Sequence, residues 1–497
     1  MEFQVISHAC VAIRHADIEL LIDPWLVGSC YWRSWWNFPE PPVEAVDALR
    51  PSFICITHLH WDHFHGPSLR RFPRTTKLVV PKLPTSRRMV EDLQWLGFKD
   101  VTELAHGETL DVGRGLKVTS YQSGFSSDSM LVISNGRTTI VNANDCKMFG
   151  RSLDLVRDRF PNIDFVLRSH SSATPIPYCI ESYPRRFSDV RSVEDYAEEF
   201  ARFALYLGAA YAIPFASNHC YLHRETYRYN ALATDPQCAH DTTNREAERL
   251  GLPTRAVTMP AGSRWSEARG FELVKLDYNR RDQHIEELVL RHRETLSRSY
   301  AEETAIEPDA AAGRRYFEEL FRGLPPSWLT LGMFDFVIQL EIVGATKLTL
   351  LLDFGAHALE LRPAPTPDIT LIRIPARVFN ECCNQRMFST WSASKRLAIH
   401  VPDNMNLGPV VKFLTLLDFF ELGVLPLQNN FSLRSLRQRL LRWREVLDFA
   451  SYFWQTRTRR DFRIRDLYPI AARPRNQAAP IFRNPRNQST TASRTAP

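Results

Sequence analysis

The stretch Phe53-Ile-Cys-Ile-Thr-His58-Leu-His60-Trp-Asp62-His63-Phe-His65-Gly66 decides how this chain is interpreted. It starts as an apolar run typical of a buried strand, and then places four side chains that can bind metal within six residues. Residues two apart lie on the same side of an extended chain, so His58 and His60 are predicted to bind one metal ion together. Asp62 and His63 are predicted to serve a second ion, with Asp62 also orienting the nucleophile or taking a proton. A histidine-rich surface loop is the alternative, but it does not account for the apolar strand.

This ligand order resembles the signature of the metallo-β-lactamase superfamily, whose members are metal-dependent hydrolases and some oxidoreductases. Strand-like segments at 3–6, 11–13 and 19–22 precede the metal loop, and a helix predicted over 87–96 follows it, as in that superfamily. The resemblance implies an α/β fold, an αββα sandwich of the metallo-β-lactamase type, over residues 1–275. A smaller C-terminal α+β module is expected after it.

Further segments, 23–29, 139–146 and 214–216 with His223 after them, are similar to the metallo-β-lactamase-like part of the CMP-N-acetylneuraminate hydroxylase family. That family also carries a Rieske iron–sulfur domain, which binds its cluster through cysteines and histidines. We expect no such domain within these residues. The resemblance therefore implies the fold and the site rather than the reaction.

The resemblance also implies further metal ligands. Asp145, at the end of a strand over 138–142, matches a carboxylate that bridges two ions. A late histidine is expected after the strand over 211–215, where His223 is the favoured ligand and His219 is the reserve.

A third-motif histidine is missing from its expected place in the family pattern. The segment 121–128 contains no histidine, and Gln122 and Asp128 are its only candidate ligands. The first ion would then have two protein imidazoles or use His170, which follows a strand. His8, near the first hairpin, is expected either to bind metal or to orient a ligand. An oxygen-rich first site would suit iron or manganese.

The predicted activity is metal-dependent hydrolysis, in which a metal-activated water attacks a small phosphorylated, sugar-linked or amide-like substrate. Zinc, as two ions, is the expected cofactor, with iron or manganese as the alternative. Two other functions stay open. One is a dinuclear-iron oxygenase or oxidoreductase acting on a sugar-nucleotide-like substrate, and the other is a scaffold whose metal site has lost activity.

An aromatic segment, Tyr31-Trp32-Arg33-Ser34-Trp35-Trp36, lies beside the predicted active face. Trp35 and Trp36 are predicted to stack on a sugar or base of the substrate, with Arg33 holding a phosphate. The alternative is a hydrophobic flap that packs on the core.

Composition agrees with an enzyme of two or three domains in a reducing compartment. The chain has 497 residues, of which 44% are apolar and 24% are charged, and its nine cysteines show no paired spacing. No apolar run approaches the roughly 20 residues that span a bilayer, and no signal peptide is expected. We therefore expect a cytoplasmic protein.

The pattern along the chain divides the rest of it. Residues 276–327 are charged and helix-favouring and are predicted to form a connector. Strand-like and helical stretches over 328–430 predict the small α+β module. Residues 431–469 are predicted to form a basic amphipathic helix region, and residues 470–497 a disordered basic tail.

Positive charge is concentrated at the C-terminal end. Residues 451–497 hold ten arginines and two aspartates, a net charge of +8. A helix predicted over 435–452 has an apolar stripe opposite its arginines, formed by Leu436, Leu440, Trp443, Leu447 and Ala450. We expect this stripe to dock on the body of the protein. Binding to nucleic acid or to an anionic membrane is the alternative that we do not expect.

Overall fold

Two β-sheets form the N-terminal part of the chain. The structure is a computed structural model and describes residues 1–124, 128–187, 193–330, 332–459 and 462–470. The first sheet has the strand order β18 (Gly270–Glu272), β17 (Arg264–Ser266), β1 (Glu2–Val5), β2 (Val11–His15), β3 (Ile18–Ile22), β6 (Phe53–Cys55), β7 (Lys77–Pro81) and β8 (Val101–Leu104). The second sheet has the order β16 (Arg255–Ala256), β14 (Tyr211–Pro214), β13 (Phe165–Arg168), β12 (Thr139–Asn144), β11 (Asp128–Ser134), β10 (Leu116–Ser123) and β9 (Thr109–Gly113).

The facing sides of the two sheets share one apolar core. Val5 and Ile13 enter it from the first sheet, and Ile133 and Leu167 enter it from the second. Alternate residues of a strand point to opposite faces, so each sheet also has an outer apolar face that needs a cover.

Helices cover both outer faces. Those next to the first sheet are α1 (Val43–Asp47), α2 (Gly66–Leu69) and α3 (Arg88–Trp95), and those next to the second are α4 (Gly150–Arg159), α5 (Val193–Leu207) and α6 (Pro236–Leu250). Helix α3 buries Met89, Val90 and Leu93 against the first sheet, and the chain turns at Gly97, whose φ is +97°. The predicted αββα sandwich is confirmed.

Parallel strands bring several loops to one edge of the sandwich. Strands β3 and β6 pair in parallel, and so do β12, β13 and β14. Parallel strands have their carboxyl ends at the same edge of a sheet. The residues that directly follow these strands include Asp23, the segment 56–65, Asp145 and His170, and this edge carries the candidate site.

A second, smaller unit follows. Its sheet has the order β21 (Ala358–Arg362), β20 (Lys347–Asp353), β19 (Val337–Val343), β22 (Leu371–Pro375) and β23 (Ala398–His400). Its helices are α9 (Ala310–Gly323), α10 (Ser327–Thr330), α11 (Ala376–Gln385), α12 (Phe388–Ser394) and α13 (Gly408–Glu421). The apolar core of this unit continues into the sandwich, because it includes Trp25, Tyr31, Trp32 and Trp35. The α+β module therefore packs directly on the loops near the candidate site.

The region between the two units is helical. Helices α7 (Arg281–Arg291) and α8 (Arg293–Thr304) lie within the predicted connector. Helix α9 also falls there, but it buries Phe317 and Leu320 in the core of the module. A short sheet of β15 (His219–Tyr221), β5 (Trp35–Asn37) and β4 (Ser29–Cys30) joins the aromatic segment to the loop after β14. The domain boundaries themselves stay a prediction.

The predicted basic helix region forms two helices, α14 (Leu433–Leu441) and α15 (Trp443–Thr458). Our expectation that their apolar stripe docks on the body is wrong. Leu436, Leu440, Trp443 and Leu447 are exposed, whereas the polar residues of the pair, such as Asp448, face the body. The predicted disordered tail lies almost wholly outside the described residues. Within the described residues, no helix is both long and apolar enough to cross a membrane.

Candidate metal centre

A first cluster of metal-competent atoms forms where β6 and β12 end. His58, His60 and Asp145 bring one ligand atom each within 4.8 Å of one another. His58 Nε2 lies 2.8 Å from His60 Nδ1 and 3.9 Å from Asp145 Oδ2. Burial, together with the neighbouring imidazoles of His63 and His60, holds the pKa of His58 well below its ordinary value. The His58 imidazole is therefore neutral at physiological pH, as a metal ligand must be.

A second cluster lies directly beside the first and is more deeply buried. It contains His8, Asp62 and His63, again within 4.8 Å. Asp62 Oδ2 lies 2.9 Å from His8 Nε2 and 3.2 Å from His63 Nε2. Burial opposes ionisation of Asp62, but His63 and His8 outweigh it, so the pKa of this carboxyl is well below its ordinary value.

The two clusters meet at His63. Its Nε2 lies 3.2 Å from Asp62 Oδ2 and 3.4 Å from Asp145 Oδ2, and it makes no hydrogen bond of good geometry. Its ring centroid lies 4.1 Å from that of His58. A buried nitrogen without such a bond, set between two carboxylates, is a position that favours a cation. Imidazole nitrogens and carboxylate oxygens suit divalent zinc, iron or manganese, so the donor set fits a metal pair.

Asp23 orients one histidine of each cluster through hydrogen bonds, His63 directly and His58 through Thr57. Its carboxylate accepts hydrogen bonds from His63 Nδ1 at 2.8 Å, from the Thr57 hydroxyl at 2.6 Å and from the side chain of Asn144. The Thr57 hydroxyl in turn lies 3.0 Å from His58 Nδ1. A histidine whose second ring nitrogen is held by a carboxylate keeps its other nitrogen free for metal. Asp23 is not among the ligands predicted from the sequence, although its position directly after the apolar run 20–22 was a signal for it.

A strained turn connects the second cluster to the C-terminal module. Tyr31, Trp32 and Arg33 have φ values of 54°, 53° and 63°, which side-chain-bearing residues rarely adopt. Each such residue costs about 1–2 kcal/mol, so packing and hydrogen bonds must hold the turn. The Tyr31 hydroxyl donates to Asp62 Oδ1, and Trp32 Nε1 donates to Glu381 Oε2 on α11 at 2.8 Å.

Two further histidines, His170 and His219, lie close enough to the second cluster to interact electrostatically with His8. His170 is buried, and neither of its ring nitrogens makes a hydrogen bond of good geometry. Burial lowers its pKa to about 3, so it is neutral and available as a ligand. His219 stacks on Trp35 with ring centroids 3.6 Å apart, and its ring lies 5.2 Å from that of His8.

The favoured late ligand, His223, lies elsewhere. Its Nε2 is 3.7 Å from Glu303 Oε2 on α8, and its ring contacts Tyr300. Strand β15 pairs with β5, which carries the chain away from the clusters before it reaches His223. The geometry therefore gives no support to His223 as a ligand.

Gln122 and Asp128, the two residues that could replace the missing third-motif histidine, differ in their surroundings. The Gln122 side chain donates to Leu104 O at 3.1 Å and to Ser120 Oγ at 2.8 Å. Asp128 instead lines the same cavity as His58 and His60. Asp128 is therefore the better placed of the two.

Most side chains of the aromatic segment 31–36 are buried in the core. Trp35 and Trp36 are buried, and Trp36 packs on His292 with ring centroids 4.2 Å apart. Arg33 is half-buried. These positions agree with the packed flap, and substrate binding by Arg33, Trp35 and Trp36 stays a prediction.

The first cluster opens into a cavity of about 290 Å³ between the sandwich and the module. His58, Leu59, His60 and Asp128 line it on one side, and Ser389, Ser392, Ala393 and Asp418 on the other. Burial and the carboxylates of Glu421 and Asp128 raise the pKa of Asp418 well above its ordinary value. This shift favours the protonated carboxyl, which would donate a hydrogen bond into this cavity.

Cysteine and histidine pairs elsewhere do not form an iron–sulfur site in the part of the chain that the structure describes. Cys220 is buried in a core with Trp36, and His223 faces Glu303. Cys238 and His240 lie on α6, where His240 Nδ1 contacts Asp241.

Comparison with known proteins agrees with the geometry. Residues 2–144 match the family model of the beta-lactamase superfamily domain. The N-terminal body has a metallo-β-lactamase-like fold. The chain is also similar to an isothiocyanate hydrolase from Delia radicum gut bacteria, with 15% identity and a TM-score of 0.38 over 54% of this chain and 98% of that one. A similarity of that size carries no argument about the reaction.

Curated relatives share part of the sequence. A Mycolicibacterium smegmatis protein named as a Rieske 2Fe-2S iron–sulfur protein is 28% identical over 249 residues, 48% of this chain and 47% of the relative. The mouse cytidine monophosphate-N-acetylneuraminic acid hydroxylase is 24% identical over 152 residues, 29% of this chain and 26% of the relative. The chain thus spans about half or less of the length of these relatives. The similarity to the hydroxylase family is shown, and relatives of this fold include hydrolases and hydroxylases.

Proposed function

We propose that this chain is a two-metal hydrolase that acts on a small polar substrate. The observation that supports the proposal is the meeting of two clusters, each with two histidines and one aspartate, at His63 and Asp145. Zinc is the proposed ion, with Asp145 shared between the two positions.

A bound pair of divalent ions would supply Lewis acidity and would lower the pKa of a bound water far below its bulk value, toward about 7. The chain supplies the rest. Asp23 fixes the orientation of His63, and through Thr57 that of His58. Asp62 contacts His8, His63 and Tyr31 through its carboxylate. These contacts fix its orientation and favour its negatively charged form, so Asp62 in turn positions His8 and His63. Burial opposes ionisation of Asp145, but His63 and His58 outweigh it and hold the pKa of this carboxyl below its ordinary value, so the charged Asp145 suits a metal ligand.

The cavity narrows the substrate class. Its volume of about 290 Å³ is near the lower limit of small-molecule sites, which span roughly 300–1,000 Å³. Its described lining includes Asp128, Asp418 and the hydroxyls of Thr174, Ser389 and Ser392, but no lysine or arginine. A neutral amide-like or sugar-linked group fits this lining better than a phosphate does.

A dinuclear-iron oxygenase is the second candidate. Two histidines and one carboxylate are also the ligand set of non-haem iron oxygenases, and each cluster has that composition. Asp128 at the first cluster would add another oxygen donor suited to iron. A hydroxylase among the similar proteins agrees with this candidate.

Metal analysis combined with activity measurement separates the candidates. The protein is purified without added metal, and its zinc, iron and manganese are measured together with its absorption spectrum. Zinc with no visible absorption, and hydrolysis of neutral amide or glycoside substrates that Asp62→Ala abolishes, is the expected result. Two irons with near-ultraviolet charge-transfer bands and oxygen consumption would favour the oxygenase. Absence of both metal and turnover would overturn both candidates and favour a scaffold.

A further inference from the structure

Helices α14 and α15 attach to the body through polar contacts and through Phe449 and Tyr452, whose rings pack on Phe149. Arg434 pairs with Glu103 and donates to Leu83 O at 2.8 Å. Asp448 accepts hydrogen bonds from the backbone N–H of Arg151 at 2.9 Å and of Ser152 at 3.0 Å, which are at the start of α4. A carboxylate at a helix N-terminus satisfies unpaired backbone donors and is favoured by the helix dipole. The polar side of the helix pair is therefore committed to the body.

The apolar side of the helix pair faces outward. Leu433, Leu440 and Trp454 expose 84%, 72% and 71% of their surface. The large apolar residues that stand exposed on the two helices are Leu433, Leu436, Leu440, Leu441, Trp443, Val446, Leu447, Phe453 and Trp454. A concentration of this kind is unusual on a protein surface and marks an interaction site.

An apolar groove lies between α15 and the body, next to these side chains. It has a volume of about 450 Å³ and is lined by Val446, Phe449, Ala450 and Phe453, with Arg439, Arg442 and Glu445 also in its wall. Glu445 pairs with Arg442, so Arg439 supplies the guanidinium that can meet an anion. Apolar lining beside this guanidinium matches an amphiphile that has an apolar chain and an anionic head.

The positive charge of residues 431–470 favours an anionic partner. Residues 431–470 hold ten arginines, no lysine and four acidic residues, a net charge of +6, whereas residues 1–430 carry −5. Arg437, Arg439 and Arg457 on the two helices are exposed. Arginines together with exposed leucine, phenylalanine and tryptophan are typical of helices that lie in the plane of a membrane interface.

We propose that α14 and α15 form a docking surface for membranes that contain anionic lipids. The apolar side chains enter the interface, while the arginines contact lipid phosphates. A second copy of this chain is a poor occupant, because two surfaces of the same positive charge repel each other. The C-terminal residues 471–497 are also poor occupants, since Ile481 and Phe482 are their only large apolar residues. Nucleic acid would pair with the arginines but would leave the apolar residues uncovered.

Vesicle co-sedimentation with the full chain tests the proposal. Phosphatidylcholine vesicles with and without phosphatidylglycerol are compared at low and high salt. We expect binding that requires phosphatidylglycerol and weakens with salt. Arg437→Gln with Arg457→Gln should weaken it about 25-fold, because each interfacial arginine contributes about fivefold. Trp454→Ser should weaken it at least about tenfold.

Matched surface variants serve as controls. Trp95→Ser removes a tryptophan that is 79% exposed on α3, and Arg293→Gln with Arg298→Gln removes two exposed arginines on α8. These variants should bind vesicles like the wild type. Circular dichroism of every variant checks folding.

Several outcomes would overturn the proposal. One is an absence of vesicle binding, or binding that the helix variants leave unchanged. A dimer detected by sedimentation that Trp454→Ser dissociates, without lipid binding, would assign the surface to a second copy. Binding to DNA or RNA that falls with the arginine variants but not with Trp454→Ser would assign it to nucleic acid.

Discussion

In a folded protein, polar atoms are usually exposed or hydrogen-bonded, and large apolar side chains are usually buried. The metal centre departs from the first rule, and the C-terminal helix pair departs from the second. At the metal centre, polar atoms are buried without good hydrogen bonds, among them His63 Nε2, His8 Nδ1 and both ring nitrogens of His170. On α14 and α15, large apolar side chains are exposed. A buried donor set indicates a cation that completes it, and an exposed apolar surface indicates an apolar phase that covers it.

The two regions also differ in how they are held. The clusters are fixed from both halves of the molecule, by Asp23 in the sandwich and through Tyr31 and Trp32 by Glu381 in the module. The helix pair is attached at the surface, by polar contacts such as Arg434 with Glu103 and by the packing of Phe449 on Phe149. Single substitutions around the centre should therefore have large effects on metal binding, whereas substitutions on the helix pair should leave it unchanged.

The largest effect is expected for Asp23→Asn. The amide would turn a donor toward groups that now donate to Asp23, and His63 would lose the partner that sets its tautomer. Metal affinity, measured by chelator competition, should fall about 10–100-fold. The exposed Asp100→Asn on the same sandwich should have no effect. Equal affinities for the two variants would show that Asp23 does not support the centre.

A smaller effect is expected for Tyr31→Phe, which removes the hydroxyl that donates to Asp62. A charge-assisted hydrogen bond contributes about 1.5–3 kcal/mol, so turnover or metal affinity should fall about tenfold or more. Tyr206→Phe is the matched control, because the Tyr206 hydroxyl donates to Asp154 at 2.5 Å on α4, away from the clusters. If both variants lose activity equally, the strained turn has no specific role.

Lys395 provides a third test, on stability rather than metal binding. It lies fully buried between the module and the sandwich, where its Nζ donates to Tyr221 Oη at 2.8 Å and to Ser172 O at 3.0 Å. Burial lowers its pKa from 10.5 to about 8. At this position the unfolded chain therefore binds more protons than the folded one between about pH 8 and pH 10.5, so Lys395 contributes stability that grows with pH in that window.

The Lys395 contribution amounts to about 2 kcal/mol between about pH 7.5 and about pH 9.5. Burial raises the pKa of several cysteine thiols, such as Cys30 and Cys55, and these groups lower stability as pH rises in all three proteins. Urea unfolding at the two pH values should therefore show this Lys395 contribution as a difference, present in the wild type and in the exposed-lysine control Lys117→Met and lost in Lys395→Met. The same pH dependence in all three proteins would contradict the assignment to Lys395.

The sequence was sufficient to predict the fold because hydrophobic patterns and the order of ligands follow the chain. The run before His58 predicted a buried strand, and the αββα sandwich is confirmed. The site was harder to predict from the sequence, because its residues come from segments that are far apart along the chain. His8 joins the second cluster through the pairing of β1 and β2 in the first sheet, and Asp23 joins through the loop after β3. Metal binding by any of these residues stays a prediction.

One expectation failed and another has no support from the geometry, both for a physical reason that the sequence pattern alone does not contain. Spacing placed His223 after the right strand, but the pairing of β15 with β5 directs it toward Glu303. The apolar stripe of the C-terminal helices was correctly located, but periodicity does not tell which face is buried. Asp448 binds the start of α4, and this contact turns the stripe outward.

The metal content of purified variants tests the central claim most directly. Protein prepared without added chelator is analysed for bound metal in the wild type, His60→Ala, Asp62→Ala and the surface control His284→Ala. The account predicts about two ions per chain in the wild type and control, and at most about one in either cluster variant. Wild-type metal content in both His60→Ala and Asp62→Ala would contradict the assignment of the two clusters as a metal centre.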